Sequence, residues 1–451
     1  MQQGKEKLCG KENKGACIFI MERFVLKGDI CYSKSQTELC TVKDGYLVCI
    51  EGKSGGVYEV LPEQYQELPL EDYSGKLIFP GMIDLHIHAP QFAFRGTGMD
   101  LELMPWLNRQ TFPEETRYQD KEYAKKAYGI FAEQMHKSAT TRVCMFATLH
   151  SQATEILMEE MEKTGLISYV GKVNMDRESI PELQEKDYRE SAQATRAWLE
   201  NVQGKFKRTR PILTPRFVPS CSDELMEELQ KIQEEYGVPV QSHLSENPGE
   251  IAFVKELCPQ SRFYGEVYDS FGLFGGRAKT IMAHCVYSGE EETDLMKENG
   301  VFVAHCPASN LNLSSGIAPI RRYLEKGLKI GLGSDVAGGH TESMFRAVTD
   351  AIQVSKMYWR LVDDTCRPLT FAEAFYLATK GGGAFFGNVG SFDSGCEFDA
   401  VVLEDSIMPM AREMPVAERM ERAAYLSLDL LGIRAKYVRG TKVYKKEIEH
   451  R

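Results

Sequence analysis

The feature that most constrains this chain is an alternation. Between residues 77 and 339, eight short runs rich in β-branched residues are separated by charged segments of helical period. The runs are LIFPGMIDLHIH, TTRVCMFAT, LISYVGKVNMD, PILTPRFVPS, VPVQSHLSE, KTIMAHCVY, VFVAHCPASN and LKIGLGSDVAGG. Eight strands alternating with helices over roughly 300 residues predict a (β/α)₈ barrel. A doubly wound sheet would alternate too, but no run is followed by G-x-G-x-x-G. Two helix starts read as capping boxes, Ser288 to Glu291 and Thr370 to Glu373. The first helix is expected to stop at Asn299-Gly300 and the second at Gly381-Gly382-Gly383.

The two ends of the chain have another character. From Cys17 to about Ile78, short apolar–polar stretches are punctuated by Lys-Asp-Gly and Ser-Gly-Gly turns, which predicts antiparallel strands. Near the other end, Phe398 to Leu403 reads as a buried strand and RAKYVRGTKVYKKE as a hairpin about Arg439-Gly440. The expected organisation is a small composite β-sandwich domain from residues 1–79 plus 386–451, with 1–16 a loose arm. It accompanies a catalytic barrel over 80–385.

Composition narrows the function. With 54 basic and 65 acidic residues the net charge is −11, which argues against a nucleic-acid partner or an anionic membrane surface. No stretch approaches the roughly 18 apolar residues of a membrane span. The polar N-terminus lacks the apolar run of a secretory signal, and the 12 cysteines include no C-x-x-C. Reduced thiols in a cytoplasm are therefore expected.

Five of the eight runs carry a His or Asp where the strand is expected to end: His86 and His88, His243, His284, His305, and Asp335. In a barrel, the C-terminal strand ends converge on one mouth. His86 and His88 are two apart on a strand, so both imidazoles point the same way. Such a pair, joined by a third His and a carboxylate, is an N/O set suited to Zn²⁺ or Fe²⁺. His136, His150, His340 and His450 have no such placement and read as surface or structural residues. His340-Thr341-Glu342 has the H-x-E of nucleic-acid deaminases but lacks the P-C-x-x-C that must follow.

PGMIDLHIHAPQFAFRGTG resembles the first-strand motif of the amidohydrolase superfamily, in the form used by guanine deaminases. HLSE, AHCVY, HCPASN and GLGSD resemble the later-strand motifs in the same order, and GSFDSGCEFDAVVLED resembles the return into the small β domain. The guanine form rests on HAPQ, TPRF and WLNRQTFPEE. The resemblance implies hydrolytic deamination of guanine to xanthine and ammonia by a homodimer. It also implies one Zn²⁺ (or Fe²⁺) per chain held by His86, His88, His243 and Asp335, with His284 beside the attacking water. Two-metal members place a carboxylated lysine at the end of strand four, but that position here reads Thr214-Pro215-Arg216. Lys172 would replace it only if the strand count were off by one.

Glu246 follows His243 at i+3, and HxxE supplies a carboxylate able to carry protons from water to the ring and to the leaving amine. Asp335 can hold the metal and accept a proton from water. For the base, Arg216 suits O6 or N7 of guanine and opposes the amino group of adenine. Gln91 offers a donor and an acceptor, and Phe217 a stacking face. Arg216 as a structural ion pair and Phe217 as plain core are the alternatives for those residues. The segment with Trp106 and Phe112 is placed to cover the mouth or simply to pack. Competing functions are deamination of 8-oxoguanine, a pterin, a triazine or an adenosine derivative, a non-catalytic barrel assembly protein, and a purine sensor.

Overall fold

The structure, a computed structural model, describes residues 23–446. The expected loose arm 1–16 and His450 lie outside the described residues. The N-terminal strands are β1 (Arg23–Ser33), β2 (Leu39–Ile50), β3 (Lys53–Tyr58) and β4 (Leu70–Pro80). The barrel then begins with β5 (Met82–His88), β6 (Thr140–Phe146), β7 (Ile167–Gly171), β8 (Val173–Asn174), β9 (Thr209–Pro211) and β10 (Thr214–Pro215). It continues with β11 (Val240–Leu244), β12 (Thr280–His284), β13 (Phe302–His305) and β14 (Lys329–Leu332). The chain returns through β15 (Ala400–Leu403), β16 (Ile433–Val438) and β17 (Thr441–Lys445).

Parallel pairing joins β5-β6-β7-β9 and β11-β12-β13-β14. A parallel bridge between Leu213 and Val240 links the two halves on one side. On the other, the amide of Asp335 donates to the carbonyl of His86 at 2.8 Å and that of His88 to Val336 at 3.0 Å. Eight strand positions thus close into a TIM-barrel-like ring that follows the eight runs, with two exceptions. The first run divides, its Leu77–Pro80 part belonging to β4 and only Met82–His88 to the barrel, and the fourth meets β9 at Pro211 alone and holds β10. Their burial on both faces explains why they read as near-continuous apolar stretches.

Strands from both chain ends form one seven-stranded sheet, in the order β17-β16-β15-β4-β1-β2-β3. The expected β-sandwich is not shown; the strands pair as this one continuous sheet. β4 inserts between β1 and β15, parallel to the first and antiparallel to the second, and so welds the two ends edge to edge. The expected hairpin is present: β16 and β17 turn at Arg439-Gly440, both with positive φ, as a two-residue turn matched to strand twist requires.

Two helix boundaries also differ. The helix Glu290–Asn299 ends at Gly300 as expected, but Gly289 is its N-cap, without a side-chain cap. The box at Thr370 and Glu373 is formed as read, yet its helix runs on through the three glycines to Phe386. Those glycines are packing positions. A Cβ on Gly383 would lie 2.4 Å from the carbonyl oxygen of Val389, and one on Gly381 2.8 Å from that of Ile330. Among the described residues no helix is long and apolar enough to cross a membrane, and the ten described cysteines are free.

Candidate active site

The strand ends do converge. His86 Nε2 lies 3.1 Å from Asp335 Oδ1, His88 Nε2 lies 3.4 Å from the same oxygen, and the Nε2 atoms of His88 and His243 are 3.2 Å apart. His86, His88 and His243 form one cluster of potential ligand atoms, and His86, His284 and Asp335 another that shares His86. Burial, with the neighbouring imidazoles, holds His88 and His243 well below the usual histidine range. Burial likewise lowers His86 against the pull of Asp335. Three neutral rings thus offer lone pairs. Burial alone would raise Asp335, but His86, His284 and His88 keep its carboxyl well below the usual range.

The donor set fits a divalent metal. His86 Nε2 is fully buried and has no hydrogen-bond partner. His243 Nδ1 lies 2.5 Å from the carbonyl of Arg216 and must donate to it, which leaves Nε2 as the lone-pair nitrogen aimed at His88. The two Nε2 atoms facing each other at 3.2 Å, next to a carboxylate, are placed to share one cation. No such arrangement involves Lys172. It sits at the end of β7, paired with Glu185 at 2.5 Å and bonded to the carbonyl of Val173. His305 ends β13 as expected but stays outside both clusters, and burial pushes its imidazole down to about 3. His136 binds the carbonyl of Val443, and His340 pairs with Asn312; neither lines the cavity at the mouth.

The backbone at the mouth is unusual. His284, Cys285, Asp335 and Ser245 all adopt positive φ without being glycine, at about 1–3 kcal/mol each. Asp84, two residues before His86 on β5, accepts from the amide of His86 and from the amide and hydroxyl of Ser334, pinning strand one to strand eight. Burial pushes its carboxyl up to about 7.

Glu246 sits in the turn after β11 with Oε2 3.5 Å from His284 Nε2, and Ser315 donates to Oε1 at 3.0 Å. Burial raises its carboxyl, with His284 opposing. His284 donates Nδ1–H to Asn310 Oδ1 at 2.9 Å; burial disfavours its charge, but Glu246 and Asp335 raise it overall. Glu250 went unremarked in the sequence. It completes a capping box with Asn247, accepts from the amides of Glu246 and Asn247 and from Tyr264, and is pushed up to about 7 by burial and Glu246. Asn247-Pro248-Gly249-Glu250 carried that signal: a cap residue, a proline at the first helical position and an acid three residues on.

One cavity is lined by His88, His243, Glu246, His284 and Asp335 together with Gln91, Arg216 and Phe217. Leu103, Trp106 and Leu107 cover it, so the segment after strand one does form a wall of the mouth. The structure alters the reading of Arg216. Its fork is not wholly free for a base: Nη1 donates to Glu115 Oε2 at 2.7 Å and Nη2 to Oε1 at 3.3 Å. Gln91 Nε2 donates to the same Glu115 at 2.8 Å, while its Oε1 accepts from the amide of Ala337 at 3.3 Å. Glu115 was missed because nothing local marks it. It is one of two adjacent acids in FPEET, and Glu114 beside it turns instead to Arg117 and Tyr123.

Residues 77–423 match the amidohydrolase family. The chain is 38% identical over 384 residues to a guanine deaminase from Dictyostelium discoideum, covering 82% of this chain and 83% of that one. It is 40% identical over 346 residues to a guanine deaminase from Mus musculus, covering 76% and 74%. The fold superposes with a TM-score of 0.90 on a crystal structure of guanine deaminase from C. acetobutylicum with bound guanine in the active site. That match is 46% identical and covers 94% of this chain and all of the other.

Proposed function

The chain belongs to the amidohydrolase family, and on that premise we propose that it hydrolyses guanine to xanthine and ammonia. The observation that carries this reading is one cavity lined by His88, His243, Asp335 and Glu246, beside the buried His86, together with the hydrogen-bonding side chains of Gln91 and Arg216. The ligands would be His86, His88, His243 and Asp335, holding one Zn²⁺ or Fe²⁺. A metal bound there supplies Lewis acidity that makes water nucleophilic at neutral pH.

The chain's own residues handle the protons and the base. Glu246 takes a proton from the attacking water, delivers it to the ring nitrogen beside C2, and passes a second to the departing amine. His284, held by Asn310, keeps Nε2 toward Glu246 and Asp335 and orients the water. Asp335 accepts the water's remaining proton, and this is the one that Glu246 passes to the amine as the C2–N bond breaks, so both carboxylates end as they began. Arg216 and Gln91 bind the O6 and N7 edge, Phe217 stacks on the ring, and Leu103, Trp106 and Leu107 exclude bulk water. The balance is guanine plus water to xanthine plus ammonia.

The same reading makes residues 80–385 the catalytic unit and 1–79 plus 386–451 the accompanying domain. It makes the enzyme a cytoplasmic homodimer with no nucleic-acid or membrane partner. The test is ammonia release from guanine, 8-oxoguanine, adenine, cytosine and a pterin, run side by side. Guanine should be turned over fastest. Adenine sets an amino group against a cation and carries its leaving amine at the six-position, so it should be worse by roughly 10⁴-fold or more. A pterin or 8-oxoguanine outpacing guanine would replace the substrate and keep the chemistry.

A further inference from the structure

Glu115 is a buried carboxylate without a task in the reaction above. It lies on the short helix Phe112–Thr116, 2% exposed, and is not part of the cavity lining, whereas Gln91 and Arg216 are. Its two oxygens accept three hydrogen bonds, two from Arg216 and one from Gln91. From this arrangement we infer that Glu115 is a positioning residue, which sets which polar atoms of Gln91 and Arg216 face the six-position edge of the purine. The inference rests on the guanine reading of the site.

The physical argument is one of donor counting. A guanidinium has five N–H donors in a plane. A carboxylate taking one from each terminal nitrogen locks that plane and leaves three donors. Gln91 is fixed in the same way. An ionised carboxylate only accepts, so the amide nitrogen must be the end that meets Glu115, and the oxygen then receives the amide of Ala337. One N–H and one lone pair of Gln91 are left for a ligand. Charge matters as well, because Arg216 is buried and Glu115 balances it without occupying the site. A neutral amide at position 115 could turn its own NH₂ toward either partner. Gln91 would then be free to flip and Arg216 would lose its counter-charge.

A purely architectural Glu115, tying the covering segment to the barrel, would affect every ligand alike. The experiment therefore compares two inhibitors in the metal-loaded enzyme. Hypoxanthine carries the six-position carbonyl and purine does not. Glu115→Gln should raise KM for guanine about 10–100-fold, the range of a hydrogen bond to a charged group, with kcat within about threefold. The inhibition constant for hypoxanthine should rise in parallel, that for purine should hold within about twofold, and metal content should be unchanged. Glu115→Asp keeps the charge and should recover part of the KM. If Glu115→Gln does not fold, Glu115→Asp carries the test, with the same split between the inhibitors at smaller size. An unchanged KM, or equal weakening of hypoxanthine and purine, would overturn the inference. Failure of the parent to release ammonia from guanine would instead refute the activity, which is read separately from inhibitor binding.

Discussion

The mouth of the barrel and the seam between barrel and terminal sheet both bury many polar groups, yet they bury them in opposite ways. At the seam every charge is met. Lys436 Nζ on β16 donates to the carbonyls of Met135, Ser138 and Thr140 at 2.9–3.1 Å. Arg142 on β6 binds Asp399 through Nε and Nη2 and reaches Glu397 at 2.7 Å. At the mouth, His86 Nε2 makes no hydrogen bond although Asp335 Oδ1 lies 3.1 Å away, His88 Nδ1 has no partner, and the Nε2 atoms of His88 and His243 face each other. Buried polar groups normally find partners, so a convergent cluster that does not is one arranged for something it has yet to bind. Satisfied burial marks architecture and unsatisfied, convergent burial marks function. The Gln91–Glu115–Arg216 wall lies between them, half satisfied and half offered.

If that contrast is right, damage at the mouth removes activity and spares the fold, while damage at the seam does the reverse. The largest effect should come from the ligands. Chelation, or His86→Ala, should take guanine turnover to background and remove the metal, with the thermal transition still cooperative. Metal analysis of untreated protein should return one equivalent per chain. Two equivalents would break the single-site reading, which rests on Lys172 being engaged by Glu185.

Next comes Glu246→Gln, which keeps shape but cannot cycle a proton. Turnover should fall about 10²–10⁴-fold, the usual contribution of general acid–base catalysis, while metal content and guanine affinity persist. Near-normal turnover would assign the proton to another group at the mouth.

How much of this was legible follows from the same contrast. The cluster of proposed ligands was readable because strand period and strand ends are local properties: His86 and His88 share a face, and each later member closes an apolar run. Glu246 was readable as part of HxxE. Glu115 was not, since its partners lie 24 and 101 residues away and pairing at that distance leaves no trace in either segment. The glycines at 381–383 misled for a related reason. Glycine signals a helix stop or a close approach, and only the neighbours Ile330 and Val389 decide which. The continuous pairing of the terminal sheet was not legible, because the position of β4 between β1 and β15 is a tertiary choice that alternation does not encode.

The seam supplies the converse test. Lys436→Met leaves three carbonyls without their donor, at about 3 kcal/mol or more of stability, while kcat and KM for guanine hold. Burial keeps the Lys436 pKa well below 10.5 despite the pull of Asp399. The unfolded chain therefore binds that proton more tightly than the folded one. Stability should rise with pH from the depressed value up to about 10.5, and the substitution should flatten that slope. Denaturant melts of parent and variant across this interval measure it. A loss of activity at full stability would erase the distinction between the two regions.

The smallest effect is expected where the regions touch. Asn247 caps the helix Pro248–Leu257, one residue after Glu246, the proposed proton carrier, so it is architecture directly beside the proposed function. Asn247→Ala removes the side-chain acceptor for the amide of Gly249, and caps of this kind contribute about 1 kcal/mol. The other half of the box survives, because Glu250 still accepts from the amide of Glu246 at 3.0 Å and from that of residue 247. Ser315 and His284 also still flank the carboxyl of Glu246. Three of the contacts that aim Glu246 are therefore independent of the cap. The variant should lose about 1 kcal/mol in a denaturant melt and keep kcat within about threefold. A fall in kcat approaching that of Glu246→Gln, with the melt unchanged, would mean that the cap itself aims the carboxylate. The boundary of the functional region would then move one residue outward.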